Sequence, residues 1–408
     1  MKLLRNRRFA LIWLGQSVSS FGDWVRNMAI TFWVYEISGH SPVATSAVMV
    51  AEYLPMLLLA PVAGVFVDRW SRRRTMFWTQ LVSAVLSLSF LAALGARSLP
   101  LALVIAFLGS LVSQFYNPAR GAMLPVIVDR GDLVGANSLS QVTANLALVL
   151  GPVVGTSVYF SLGAPWSFGL DALSFILSAG AVLLARLPRN EGIAGAGGLA
   201  SVASQWREGL AYVRSHRTVR TVLLVFFVLM LGGGAANVCD LYLVTRNLAL
   251  PESRLSLVMS VQGLASVAAS LGMMTMAARL EAWKLLWIGV AVLGVGAVNI
   301  GLAPNLTAVL VWTVVAGVGT ALASVGQSTI LQTSIPVEFR GRVFGVMGPT
   351  IMAGMLTGTA VGGFLARQMD VRPIISATGL LALVAALIAF VGLGGERTEP
   401  QTTTASSS

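Results

Sequence analysis

The sequence predicts an all-α membrane protein of twelve spanning helices in two pseudo-symmetric six-helix bundles, and three observations carry that expectation. Residues 285–337 contain no charged side chain. A bilayer core of roughly 30 Å is crossed by about 20 apolar residues as helix, so this run alone holds two spans and the turn between them. Of the 408 residues, 56% are hydrophobic and 11% charged, with a mean hydropathy of +0.81, whereas a soluble chain carries about 25% charged residues. Apolar runs also recur from end to end, and none shows the alternation that a membrane barrel strand requires.

In chain order, the runs place spans near 9–35, 43–67, 76–95, 99–118, 137–160, 166–186, 219–245, 255–278, 285–303, 306–330, 343–366 and 373–394. The basic start (Lys2, Arg5, Arg7, Arg8) resembles a signal peptide. The apolar stretch behind it is too long for a signal core and contains Asp23 and Arg26, so it reads as a retained first span. Short connections at 161–165 and 304–305 demand antiparallel neighbours. The longest polar connection, 187–220, opens with a Gly/Ala-rich stretch at 192–200 and then sets Trp206, Leu210 and Val213 at helical spacing, the pattern of an amphipathic surface helix. The expected organisation is an N-terminal bundle at 1–186, a cytoplasmic linker at 187–218, a C-terminal bundle at 219–394 and a disordered cytoplasmic tail at 395–408. The halves echo each other in sequence: Gly151, Pro152 and Gly155 in span five have their counterpart in Gly358 and Gly362 in span eleven, as Pro125 after span four has in Pro336 after span ten.

Basic residues orient the chain. Apart from Arg26, only Arg97, Arg246, Arg254, Arg367 and Arg372 fall in the loops on one side; every other Lys and Arg lies on the side of the two termini. Both termini are therefore expected in the cytoplasm of a cell-membrane protein. The net charge of +11 is spread over these loops and forms no nucleic-acid patch. A single cysteine, Cys239, excludes an intrachain disulfide and a cysteine metal cluster, and His40 and His216 are isolated. No GxxxxGK[ST] occurs, so ATP-driven pumping by this chain is excluded. An intramembrane enzyme would need a His/Asp, Ser/Lys or HExxH constellation at one depth, and none is present. No cofactor and no metal are expected.

The loop after span two carries Gly64, Asp68, Arg69, Ser71, Arg72, Arg73 and Arg74. It resembles the G-x-x-x-D-R-x-G-R-R signature of the major facilitator superfamily, with Ser71 in place of the second glycine. The resemblance implies a cytoplasmic gate in which Asp68 meets the N-terminus of span eleven, where a carboxylate suits the helix dipole, and the basic residues anchor the loop. A positive-inside loop with an ordinary helix cap is the plainer reading. Gly151, Pro152 and Gly155 are similar to the antiporter motif of drug exporters, although Ala147 and Thr156 replace two of its glycines; small residues one turn apart equally serve close helix packing. The opening, with Arg7, Phe9, Gly15, Gln16, Gly22, Asp23 and Trp24, resembles the third drug:proton antiporter family, which includes macrolide and multidrug exporters and siderophore exporters. Later landmarks at Pro118, Arg120, Pro125, Asp171, Pro336 and Arg340 extend the resemblance over nearly the whole chain. The mid-span-four arginine of other drug/proton antiporters is absent; span four offers Gln114, with Arg120 at its end.

A carboxylate at a helix centre costs roughly 2.5–3.5 kcal/mol on insertion scales and normally faces protein or water. Gln16, Ser19, Ser20, Asp23, Arg26 and Asn27 form one stripe on span one, which the resemblance makes a cavity wall. Asp23 and Arg26 are the leading proton-coupling pair, with a permanent structural ion pair as the alternative. Asp240 in span seven, one turn after Asn237 and beyond a Gly232–Gly234 hinge candidate, and Glu52 in span two, beside Tyr53, are further coupling candidates. Asp171 is read as a structural cap near the outer end of span six. Gln16, Trp24, Asn27, Tyr53, Gln114, Tyr116 and Asn237 are the expected substrate-cavity residues, although Trp and Tyr also mark membrane interfaces. The function expected from the resemblance is export of a hydrophobic or amphipathic compound by proton antiport and alternating access, as a monomer. A siderophore or a lysophospholipid is the alternative cargo, and a passive channel or sensor the reading from another class.

Overall fold

The computed structural model describes residues 2–188, 199–273 and 281–394. The Gly/Ala-rich stretch at 192–198 and the tail at 395–408 lie outside them. Their elements are α1 (Lys2–Arg5), α2 (Arg7–Ile37), α3 (Pro42–Arg69), α4 (Arg72–Gly95), α5 (Leu99–Ile127), α6 (Leu133–Leu162), α7 (Ala164–Leu184), α8 (Leu199–Ser215), α9 (Arg217–Tyr242), α10 (Arg254–Met273), α11 (Ala282–Leu302), α12 (Leu306–Ser334), α13 (Val337–Gln368) and α14 (Val371–Leu393). Eleven described helices are long and apolar enough to cross a membrane. The twelfth long helix, α2, spans 31 residues and owes its lower hydropathy to its polar stripe.

Helix ends follow local chemistry. Asn6, Ser41, Ser98, Asn305 and Asp370 accept hydrogen bonds from the first free backbone N–H groups of α2, α3, α5, α12 and α14. Gly163 turns the chain between α6 and α7 at φ 89°, a conformation that side chains resist. Several helices outrun the spans read from hydropathy: α5 continues through Pro118 and Pro125 to Ile127, and α13 starts at Val337. Helix persists into polar sequence wherever backbone hydrogen bonding continues, so the membrane-length rule sets a minimum. The surface helix likewise starts at Leu199, earlier than its amphipathic pattern suggests.

α2–α7 form one bundle and α9–α14 the other, joined mainly by α3 against α13 and α6 against α10. Three large buried clusters set the packing. One combines Phe32, Val34, Tyr35, Ala44 and Phe168 with Val238, Leu241, Tyr242, Leu243 and Ile375, and so belongs to both bundles, in the half away from the termini. In the terminal half, one cluster (Phe9, Met76, Met123, Val182) belongs to the N-terminal bundle and another (Val222, Leu286, Val343, Ala389) to the C-terminal bundle. The bundles are thus sealed together at the end opposite the termini. That seal includes a 2.9 Å hydrogen bond between the Thr45 and Tyr242 hydroxyls. Nearby, Arg246 donates to the His40 carbonyl at 2.6 Å, with its guanidinium over the Tyr242 ring.

Candidate functional site

The polar face of α2 opens on a cavity of about 190 Å³ within the N-terminal bundle, lined by Gln16, Asp23, Arg26 and Asn27 together with Glu52, Tyr53, Ser87, Tyr116 and others. Arg26 holds its centre. One guanidinium nitrogen is 3.0 Å from Asp23 Oδ1 and the other 3.2 Å from Asp171 Oδ2. The two partners differ: the Asp171 side chain is 0% exposed, while Asp23 keeps 40% of its surface toward the cavity. Asp171 Oδ2 also accepts from the Ser87 hydroxyl of α4 at 2.7 Å. Asp171 lies well inside α7, not at its end, so the expectation of a structural cap is corrected: it is the dry anchor of Arg26. Buried charges persist where they are paired and hydrogen-bonded, and this one is held by three helices.

A second cavity, of about 340 Å³, lies between the bundles. Met28, Thr31 and Met49 reach it from the N-terminal side, and aliphatic side chains of α9, α10, α11, α12 and α14 supply most of the rest. Its polar side chains are Thr31, Asn237, Asp240, Gln262, Thr313 and Thr378, and Asp240 is the one titratable side chain in the described lining. The two cavities adjoin where Asn237 Nδ2 donates to the Tyr53 hydroxyl at 3.4 Å. Among the described residues, no group of three or more His, Cys, Asp or Glu could hold a metal ion.

Of the expected cavity residues, Gln16, Asn27, Tyr53 and Tyr116 line the first space and Asn237 the second. Trp24 does neither: its ring packs where a Cβ on Gly151 would stand, so it fills the α2–α6 seam. Gln114 turns back to the Ser110 carbonyl of its own helix at 3.1 Å. Gly151 and Gly155 bring α6 against Trp24 and Met28, a close-approach role, with Pro152 buried beside them. α9 runs unbroken through Gly232–Gly234, with Gly234 pressed against the Met355 carbonyl of α13. At the loop between α3 and α4, Arg72 donates to the Ala122 carbonyl of α5 at 3.2 Å. Arg69 is exposed, Arg73 half-buried, and a Cβ on Gly64 would meet open space; the Asp68 side chain lies outside the described residues.

Twelve long helices in two bundles with two adjoining internal cavities are the architecture of a membrane transporter. Residues 2–403 match the transmembrane secretion effector family, and the chain belongs to that family of major facilitator superfamily transporters; it is not an enzyme. It is 26% identical to the MFS-type transporter YfiS of Bacillus subtilis (strain 168), over 96% of this chain and 94% of the relative. It is 23% identical to macrolide efflux protein A of Streptococcus pyogenes, over 93% and 95%, and 26% identical to the multidrug efflux pump Tap of Mycolicibacterium fortuitum, over 93% and 94%. Among solved structures, an inward-facing bacterial homologue of the iron transporter ferroportin superposes with a TM-score of 0.79 at 15% identity, covering 96% of this chain and 99% of that one.

Proposed function

We propose that this protein exports hydrophobic or amphipathic small molecules across the cell membrane by proton antiport, as a monomer with both termini in the cytoplasm. The observation that carries the reading is Arg26 held between a dry carboxylate and a cavity-facing one, beside an apolar space between the bundles. With Asp23 ionised, Arg26 is clamped from both sides. A proton arriving on Asp23 removes one clamp and leaves Asp171 holding the other, so α2 gains freedom against the cavity without Arg26 being released. Glu52, in the same cavity, relays the proton. Macrolide and multidrug efflux by relatives of similar length supports the outward direction. With the outer ends of the bundles sealed, the state at hand faces the cytoplasm, and Arg69, Arg72 and Arg73, with Gly64 and Asp68, form the gate that closes there. Residues 1–186 and 219–394 are the rocking units, and the Gly151–Pro152–Gly155 seam keeps α6 moving with α2.

Everted vesicles under an imposed pH gradient test this reading, with dyes, macrolides and siderophores as cargo. Wild-type protein should accumulate amphipathic cargo against its gradient, and Asp23→Asn should insert normally yet lose the gradient-driven component. Accumulation that ignores the pH gradient, or an Asp23→Asn variant as active as wild type, rejects the coupling scheme. Downhill leakage alone would make the protein a channel.

A further inference from the structure

Resting on the export reading, we infer that Asp240 is the substrate's counter-charge and that the cavity between the bundles is built for an amphipathic monocation. The chemistry around Asp240 is unlike that around the carboxylates of α2 and α7. Asp23 and Asp171 share Arg26. Among the described residues, no hydrogen bond or ion pair engages the Asp240 side chain, although the nearby Asn237 is tied to Tyr53. The walls that it shares are methionines and aliphatic side chains from both bundles, Met28, Met49 and Met259 among them. No other titratable side chain stands in the described lining of this cavity. Arg26 is taken on α2, Glu52 lines the first cavity on α3, and α10, α11, α12 and α14 contribute none to the lining. An ionised carboxylate in such a setting is costly unless a cation meets it, and the described lining supplies none. The cavity volume of about 340 Å³ lies in the range that takes drug-sized ligands, which are held mostly by apolar contact with a few placed polar groups. Thioether side chains adapt to varied shapes, so the walls select for apolar bulk while Asp240 selects for charge.

The same geometry argues against the alternative cargoes. The phosphate of a lysophospholipid or the carboxylates of a siderophore would face Asp240 with no cation in the described lining to receive them. Proton and substrate would also occupy different carboxylates, Asp23 and Asp240, on opposite bundles and in adjoining cavities. Coupling would then run through the packing between α2, α3 and α9 instead of competition for one side chain.

Binding of tetraphenylphosphonium, a permanent monocation, to the full-length protein in detergent tests the assignment. Wild type should bind it, Asp240→Asn should weaken binding by about tenfold or more, and Asp240→Glu should retain most of the affinity. Asp23→Asn should change the affinity by less than about threefold. A thermal melt of each variant checks that a loss of binding is not a loss of fold; Asp240→Asn should melt at or above the wild-type temperature, since no partner is orphaned. Wild type that does not bind the cation, or Asp240→Asn that binds it equally well, overturns the assignment. If neutral compounds are still exported in that case, the export reading stands without it; if no compound moves against its gradient, the export reading has failed instead.

Discussion

In the N-terminal bundle, α2 lies against Gly151 and Gly155 of α6; in the C-terminal bundle, α9 lies against Gly358 and Gly362 of α13. The missing side chains let backbones approach until a Cβ would collide with the Leu231 carbonyl or the Trp24 ring, the small-residue packing that membrane helices use in place of a hydrophobic driving force. The seams correspond, but the faces beside them do not. α2 presents an ion cluster to one cavity, whereas α9 presents to the other a single carboxylate with no ion-pair partner among the described residues. The corresponding seams thus carry different electrostatics: the cavity beside α2 holds a cation, Arg26, between two carboxylates, and the described lining of the cavity beside α9 holds none.

Removing Arg26 breaks this contrast most severely. Arg26→Met strands Asp23 and the fully buried Asp171, and breaking such a pair costs about 3–5 kcal/mol; the expected result is a sharp fall in the folded fraction on detergent extraction, partly restored by adding Asp171→Asn. A wild-type melt for Arg26→Met would erase the distinction between the halves. Next come the seams. Gly358→Val in α13 and Gly151→Val in α6 should each cost about 1–3 kcal/mol through overpacking, read as a lower melting temperature, while Gly64→Ala, whose Cβ meets open space, should melt as wild type. A smaller effect is expected at the seal opposite the termini: Tyr242→Phe removes the hydrogen bond to Thr45, worth about 1 kcal/mol, and should raise the accessibility of a cysteine label introduced at Met49. Smallest is Tyr53→Phe. It removes the long contact to Asn237 and should leave binding in either cavity intact while slowing pH-driven turnover by about twofold to fivefold; unchanged turnover would show that the cavities communicate through packing alone.

The number and placement of long helices were legible because charge interrupts apolar sequence, and the polar stripe on α2 was legible because it repeats at helical spacing. The Gly151–Gly155 and Gly358–Gly362 echo also proved to mark equivalent seams. Helix rotation was not legible. Lipid-facing and protein-facing positions are equally apolar here: Leu302 and Phe364 are exposed while Leu286 and Phe168 are buried. Hydropathy therefore could not say that Trp24 turns into a seam or that Gln114 bonds to its own helix. Asp171 was visible as a residue but not as a partner, because Arg26 lies 145 positions away and the contact exists only once α2 and α7 pack. An acidic residue deep in a span, paired in number with one arginine elsewhere, was the available signal.

The docking of α8 has a practical corollary. Glu208 is ion-paired to Arg342 at 2.8 Å, Tyr212 stacks on Phe339, and Gly209 lets the helix settle on the Arg342 carbonyl. α8 is therefore docked on α13 of the C-terminal bundle. Because the native Cys239 is buried, a fluorophore on a cysteine placed at exposed Arg214, with an acceptor at exposed Trp78 of α4, would act as a ruler for each stroke of the transport cycle.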